Sequence, residues 1–269
     1  MTAASKSTNK RACKNALFRI KERAGDTVVL CVLLGGVLLF ILWPMLCIAL
    51  RSFRAADGGF TLEAYSNVLS KYGTSIRNSV VVGICTAICT TILSLSAALT
   101  RRSWGRTLCM ILLTAAMVAP PFVSSLAYIQ LYGRRGWITY RLLGLSWNPY
   151  NLAGVVAMQS LSFTPLNALF LLGVLDKLDA DSLRSARDLG AKPSAILRDI
   201  VLPLMRPGLL VSMLLSFVRS LADYGTPVII GGRSVTLAAE VYLQVIGYSN
   251  LEKSSAMNMF LLVPSILFF

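Results

Sequence analysis

A line of polar and charged side chains crosses an apolar stretch of the sequence. The residues recur at i, i+4, i+7, i+8 and i+11, which places them on one face of a helix; they are Ser212, Ser216, Arg219, Ser220 and Asp223, followed directly by Tyr224. Charged side chains in a membrane helix usually face a bundle interior or a water-filled path, and residues four apart can pair. Two interpretations stay open: a buried structural pair of Arg219 with Asp223, or a set of six residues that lines a translocation path.

The inventory of reactive side chains excludes several enzyme chemistries. The sequence has no histidine, which removes the Ser-His dyad and the H-E-x-x-H zinc site. A single aspartate lies in an apolar block, so an aspartyl membrane protease lacks its second carboxylate, and no G-x-x-x-x-G-K phosphate loop occurs. Cys85 and Cys89 share a helical face without further ligands nearby, which favours packing over metal binding. We therefore expect no catalytic residue, metal or cofactor in this chain, and any ATP to be bound by another chain.

The composition is that of a membrane protein. Hydrophobic residues make up 55% and charged residues 14%, and the mean hydropathy is +0.67, whereas soluble domains are about 25% charged. Five apolar blocks reach the roughly 17 to 25 residues that a helical span needs; they cover 27–50, 78–100, 107–132, 151–175 and 207–230. The pattern predicts an all-α integral membrane protein, with a basic tail at 1–26 and a transmembrane domain at 27–269.

A sixth apolar block begins at residue 257 and reaches residue 269. Its 13 residues are too few for a complete span. We therefore expect the sequence to stop inside a helix and to be one part of a longer polypeptide.

Basic residues indicate the orientation of the chain. Seven Lys and Arg residues lie in 1–26 and six in 176–206, and the connections on the opposite side carry fewer in total. Because cytoplasmic connections are enriched in Lys and Arg, we expect both segments to be cytoplasmic. The net charge of +14 is dispersed around the spans, which favours contacts with anionic lipid over binding of nucleic acid.

The segment 176–206 interrupts the apolar blocks with charges, glycine and proline. Asp179 or Asp181 can cap a short helix by accepting hydrogen bonds from the N–H groups of its first turn. Gly190 suits the left-handed end of that helix, and Pro193 suits the first turn of a second helix. The pattern predicts a helix–glycine–helix element at the cytoplasmic surface.

Pro203 and Pro207 follow in the same stretch and are expected to end the second helix before the fifth span begins. A simpler interpretation also exists, because any polar linker between spans can form interfacial helices.

The stretch resembles the coupling motif of binding-protein-dependent ABC transporter permeases, which reads approximately E-A-A-x-x-x-G-A and, after a spacer, I-x-L-P-L-x-x-P. The resemblance implies that nine residues couple this chain to an ATPase: Arg184, Ser185 and Ala186 at E-A-A, Gly190 and Ala191 at G-A, and Ile200, Pro203, Leu204 and Pro207 in the closing part. Arg184 reverses the acidic charge of the family's first position, whereas the spacing is kept.

A second stretch narrows the resemblance. The sequences A-D-Y-G-T-P-V-I-I-G-G at 222–232 and L-A-A-E-V-Y-L-Q-V-I-G-Y-S at 237–249 are similar to the first half of permeases in the ferric-iron transport branch. Such permeases are fused proteins of two homologous six-span halves. The resemblance thus implies a six-span bundle of the type I importer kind, with its last span truncated here and a second half to follow.

The resemblance also implies a function, that of a permease subunit of an ATP-driven importer in the inner membrane. Expected partners are a cytoplasmic ABC ATPase dimer that binds ATP and Mg, an extracytoplasmic solute-binding protein, a second permease half and membrane lipid. Arg219 suits an anion whereas Asp223 and Tyr224 suit a hard cation, so these residues do not choose the solute. Ferric iron ranks first because of the A-D-Y-G-T-P stretch, and a phosphonate or phosphorylated sugar is the alternative. An ATP-independent secondary transporter and a signalling or scaffold protein stay open as other classes, and the coupling motif weighs against both.

Overall fold

The computed structural model describes residues 27–54, 59–100, 103–118, 120–144 and 148–267, so the predicted basic tail at 1–26 lies outside the described residues. Within these ranges the chain is built from helices, which follow one another as α1 (Thr27–Ser52), α2 (Glu63–Ala98), α3 (Ser103–Val118), α4 (Pro121–Tyr132), α5 (Leu152–Leu175), α6 (Ala180–Asp188), α7 (Pro193–Ala222), α8 (Gly225–Ile230), α9 (Leu237–Ile246) and α10 (Leu251–Leu267). Three π-helical turns occur at Leu38–Leu42 in α1, Trp137–Leu142 after α4 and Leu197–Val201 in α7.

Four of these helices, α1, α2, α5 and α7, are long and apolar enough to cross a bilayer. The predicted all-α membrane fold is thereby confirmed. α2 has 36 residues, so at about 1.5 Å per residue it exceeds the hydrocarbon core of about 30 Å. It begins at Glu63 rather than near residue 78, because the polar residues ahead of the apolar block continue the same helix. The sixth predicted block lies in α10, which also begins earlier, at Leu251.

The third predicted span is not one helix. The block 107–132 falls into Thr107–Val118 and Val123–Leu142, whose axes differ by 116°. Pro121 has no N–H to donate and keeps the residue before it out of the helical region, and Pro120 accordingly has φ −59° and ψ 143°. The predicted span is therefore not one unbroken helix, and the bent pair makes at most one span.

Small residues let α2 approach its neighbours closely. Its buried positions are mostly Gly, Ala, Ser and Thr, and they recur every three or four residues between Ser75 and Ala98. Gly83 lies against Phe217 of α7, where an added Cβ would come within 2.9 Å of two ring carbons. Lipid tails give helices no hydrophobic reason to associate, so close van der Waals contact and interhelical hydrogen bonds hold such a bundle together.

An apolar cluster joins α5, α7 and the segment between them. Leu171 of α5 is buried against Ile196 and Met205 of α7. Leu183 and Ala186 of α6 pack on this cluster, so the short helix is attached to the end of the bundle.

α7 is continuous through both of its prolines. The prediction that Pro203 and Pro207 end a separate short helix is therefore wrong. The π-helical turn at Leu197–Val201 explains the continuity, because Leu202 donates its N–H to the carbonyl of Leu197 across a wider turn. That turn gives room to the ring of Pro203, which in a regular helix clashes with the carbonyl four residues earlier.

The close approach of α2 to α7 makes Gly83 sensitive to substitution. We expect Gly83→Val to lower the free energy of unfolding by about 1–3 kcal/mol, the usual cost of overpacking, because the added methyl groups meet Phe217. Gly73 lies in the same helix, and a Cβ there meets nothing within 4 Å, so Gly73→Val is the matched control. Thermal unfolding in detergent compares the two variants, and equal melting temperatures would contradict the contact.

Candidate functional site

The predicted cytoplasmic element begins with a capped helix. The carboxylate of Asp179 accepts hydrogen bonds from the Ser182 hydroxyl (2.6 Å) and from the backbone N–H groups of Asp181 (3.1 Å) and Ser182 (3.2 Å). These bonds, that of the hydroxyl above all, hold the pKa of Asp179 below its ordinary value. Of the two possible caps, Asp179 is the one formed, and Asp181 pairs with Arg184 at 3.6 Å on the surface.

Gly190 ends α6 in the predicted left-handed conformation, with φ +82°. Its N–H donates to the carbonyl of Arg187 (2.8 Å), and the N–H of Ala191 donates to the carbonyl of Ala186 (3.0 Å). These two bonds form a Schellman motif. Pro193 lies in the first turn of the next helix, as predicted, so the helix–glycine–helix element is confirmed as a structure, and its coupling role stays a prediction.

The nine predicted coupling residues divide between two sides of the element. Ala186, Ala191 and Ile200 pack on the apolar cluster at the end of the bundle. Pro203 is half-buried, and the remaining five are exposed: Arg184, Ser185, Gly190, Leu204 and Pro207. Leu189, a residue that the sequence analysis missed, is 88% exposed beside Gly190. The element therefore presents an apolar tip, formed by Leu189 and Gly190, outside the bundle.

The three serines of the predicted path are buried between helices. Asn167 of α5 donates to the Ser216 hydroxyl (3.0 Å) and accepts from the Ser212 hydroxyl (3.1 Å). Ser220 donates to the side-chain carbonyl of Gln159, also on α5, at 2.7 Å. The serines thus hold α7 against α5 and, in this structure, are buried in that helix contact.

Gln159 connects three parts of the bundle. Its side-chain carbonyl also accepts from the Thr86 hydroxyl of α2 (3.1 Å), and its amide donates to Oδ2 of Asp223 (2.9 Å). The side chain is fully buried. Gln159 and Asn167 were not among the predicted site residues, although polar amides in the middle of an apolar block are a signal for interhelical hydrogen bonds.

The predicted pairing of Arg219 with Asp223 is not formed. α7 ends at Ala222, and Asp223, with ψ 109°, turns the chain out of the helix, while its carboxylate bonds to other partners. Oδ1 of Asp223 accepts from the N–H of Thr226 (3.2 Å), and Gln159 holds the other oxygen. The guanidinium of Arg219 lies instead over the ring of Phe163, with Cζ 4.4 Å from the ring centroid.

A cavity of about 710 Å³ lies beside these two charges, between α3, α4, α5 and α7. Arg219 and Asp223 line it, with Tyr128, Tyr132 and Phe163 among the aromatic residues of the wall. Tyr224 lines a different cavity of about 340 Å³ and stacks on Tyr242 of α9, with centroids 4.8 Å apart. The six predicted path residues are therefore not one continuous lining, and the two charged ones share the larger cavity.

Comparison with known proteins identifies a family. The profile of the family described as "Binding-protein-dependent transport system inner membrane component" matches residues 90–269. The ferric transport system permease protein FbpB of Actinobacillus pleuropneumoniae is 30% identical over 277 residues, covering 94% of this chain and 39% of that protein. The putative 2-aminoethylphosphonate transport system permease protein PhnU of Salmonella typhi is 27% identical over 217 residues, covering 76% of this chain and 75% of that protein.

A solved structure has the same fold. It is the crystal structure of a bacterial alginate ABC transporter in complex with an alginate pentasaccharide-bound periplasmic protein. The superposition has a TM-score of 0.75 at 12% sequence identity, and it covers 92% of this chain and 93% of that one. At this identity the likeness concerns the fold alone. The chain spans only 39% of the length of the FbpB relative.

The cap of α6 gives a test by hydrogen exchange. We expect Asp179→Ala to speed amide exchange across 180–188, because alanine accepts none of the three bonds at the helix start. Asp181→Ala, which removes only an exposed ion pair, should leave exchange unchanged. Since the pKa of Asp179 is lowered on folding, its contribution is complete above the ordinary carboxylate pKa and is lost as the pH falls through the lowered value. Equal protection in the two variants would contradict the cap.

Gln159 gives a test of the buried network. Gln159→Leu removes the hydrogen-bond partner of Thr86, Ser220 and Asp223. Each interhelical hydrogen bond contributes about 0.6 to 1.7 kcal/mol. We therefore expect the free energy of unfolding to fall by about 2 kcal/mol or more. Ser96→Ala is the control, because the exposed Ser96 hydroxyl bonds only to the Leu93 carbonyl of its own helix. Denaturant titration in detergent measures both, and a loss no larger than that of the control would contradict the network.

Proposed function

The chain belongs to the family of binding-protein-dependent transport system inner membrane components, and we propose from this premise that it is a permease subunit of an ATP-driven importer. The observation that carries the proposal is the helix–glycine–helix element at 176–206. One side of the element packs on the bundle, and the other presents the apolar tip of Leu189 and Gly190. A soluble ATPase can contact this tip without displacing the helices behind it.

The packing behind the tip gives a route from the ATPase to the spans. Leu183 and Ala186 of α6 contact the cluster that contains Leu171 of α5 and Met205 of α7. Closely packed side chains transmit a displacement rather than absorb it, so movement of α6 acts on α5 and α7 together. Coupling of this kind needs two discrete arrangements of the spans. The ATPase and the solute must each bind one of these arrangements better than the other. Closure of an ABC ATPase dimer around ATP and Mg is the event that we propose selects between them.

Ferric iron is the proposed solute. The proposal is supported by the 30% identity with the ferric permease FbpB and by the A-D-Y-G-T-P stretch at 222–227. A phosphonate or phosphorylated sugar is the second candidate, which the similarity to the phosphonate permease PhnU favours. In either case the substrate crosses the membrane unchanged, and ATP hydrolysis belongs to the partner ATPase.

The proposed assembly contains several further components. They are a cytoplasmic ABC ATPase dimer, an extracytoplasmic solute-binding protein, a second permease half and the lipid of the inner membrane. The periplasmic protein bound to the alginate transporter supports a binding protein in this system. The basic residues of 1–26 and 176–206 support a cytoplasmic N-terminus.

Copurification of an ATPase tests the proposal. The full-length transporter, tagged on this polypeptide, is purified from cells that express its ATPase. We expect Leu189→Ala to lower the copurifying ATPase activity by about tenfold, the effect of losing an apolar anchor at an interface, and Gly190→Arg to remove it. Leu210→Ala is the matched control, because Leu210 is 62% exposed on the apolar part of α7 and distant from the tip.

Two results would contradict the importer proposal. If Gly190→Arg retained the ATPase, the tip would not be the docking surface. If the unchanged transporter brought down no ATPase, an ATP-independent secondary transporter would be favoured instead.

A further inference from the structure

Arg219 is an uncommitted charge in the larger cavity. No hydrogen bond or ion pair of its guanidinium occurs among the described residues, and Nη1 is buried without a partner. The Phe163 ring covers one face of the guanidinium, and stacking on a ring leaves the N–H edge of an arginine free for a planar anion. Asp223 attracts this charge electrostatically but makes no ion-pair contact with it. A charge inside a membrane helix is costly, so a closer partner of opposite charge stabilises this site further.

Asp223, by contrast, already has a hydrogen-bond partner for each of its carboxylate oxygens. Its two carboxylate oxygens accept from the amide of Gln159 and from the N–H of Thr226. A hard cation prefers several free oxygen ligands, and across the described part of the chain no three His, Cys, Asp or Glu side chains come together. Tyr224, the other residue suited to a cation, lines the second cavity with Tyr242. Asp223 is therefore the single carboxylate among the described residues that line this cavity, with one hydrogen bond already made to each of its oxygens.

We propose that this cavity recognises its solute as an anion through Arg219, and that the hydrogen bond from Gln159 keeps the Asp223 carboxylate from forming an ion pair with Arg219. The inference rests on the proposed importer function and names the substrate class at one of its sites. The anion is either a free oxyanion, such as a phosphonate, or ferric iron inside a complex of net negative charge. The volume of about 710 Å³ lies within the usual range of pockets for small molecules, about 300 to 1,000 Å³.

Substitutions at the two charges have opposite effects at an anion site and at a cation site. We expect Arg219→Gln to lower uptake by about tenfold to a hundredfold, the range that hydrogen bonds to charged groups supply. Arg219→Lys keeps the charge and should retain part of the uptake. Asp223→Asn keeps one acceptor oxygen, for either Gln159 or the Thr226 N–H, and removes the competing negative charge, so uptake should stay equal or rise.

The assay uses the complete transport system in proteoliposomes. The full-length transporter is reconstituted with its ATPase and the loaded binding protein, and ATP-driven uptake is measured for radioactive iron supplied as ferric citrate and for radioactive 2-aminoethylphosphonate. The probe that the unchanged transporter takes up identifies the source of the negative charge, a metal complex or an oxyanion. Stimulation of ATP hydrolysis by the loaded binding protein, measured on the same vesicles, reports the importer machinery independently of the cavity.

Gln159→Leu supplies a second measurement. This change frees Asp223 to pair with Arg219, so uptake should fall. Adding Asp223→Asn to Gln159→Leu removes the competing charge and should restore uptake, which a purely structural role of Gln159 does not predict.

Several outcomes would overturn the proposal. Loss of uptake in Asp223→Asn with retention in Arg219→Gln would identify a cation site. Equal uptake in both variants, or loss in both, would show that the two charges do not act in the proposed opposition. Absence of ATP-driven uptake and of ATPase stimulation in the unchanged system would reject the importer function itself, and the inference with it.

Discussion

Polar groups inside an apolar bundle must find their hydrogen-bond partners within the protein, because lipid tails offer none. Gln159 meets this requirement by bonding to side chains of α2 and α7 and to Asp223. Asn167, two turns further along α5, does the same with the two remaining serines of α7. Because each bond needs its donor and acceptor within about 3 Å, the two amides determine the rotation of the three helices relative to one another. The small residues of α2 then permit the helices to approach closely enough for these bonds to form.

The same requirement separates the two charges at the end of α7. Asp223 meets its hydrogen-bonding needs with Gln159 and a backbone N–H outside the helix, rather than with the cation four residues earlier. Arg219 is left to an aromatic ring and to the cavity. The hydrogen bonds of Gln159 hold the helices together on one side of α7. Because one of them goes to Asp223, Arg219 has no ion-pair contact among the described residues on the side of the cavity. The packing of the helices and the proposed recognition of the solute thus both depend on one side chain, that of Gln159.

The end of the bundle that carries the helix–glycine–helix element meets its hydrogen-bonding needs in a different way. There the capped helix α6 and the Schellman turn at Gly190 satisfy their own backbone groups through local bonds. The element can therefore keep its shape at the surface and still pack on α5 and α7 by its apolar side. An exposed tip held in this way is well suited to contact with another protein, and the continuity of α7 through Pro203 joins that tip directly to a span.

Features that depend on neighbours in the sequence were predictable from the sequence alone. Composition and block length determined an all-α membrane protein, and Gly190, Pro193 and the cap at Asp179 determined the helix–glycine–helix element, because caps and turns form between residues a few positions apart. The bend at Pro120 and Pro121 also has a local cause, because the two prolines interrupt the helix. The length of the apolar block nevertheless favoured a single span there. Only the tertiary structure decided which polar groups pair. Thr86 and Asp223 lie 73 and 64 residues from Gln159 along the chain, and no local spacing reports a bond across that distance. The i+4 spacing of Arg219 and Asp223 suggested an ion pair, but the fold brings the amide of Gln159 and the N–H of Thr226 to the carboxylate instead.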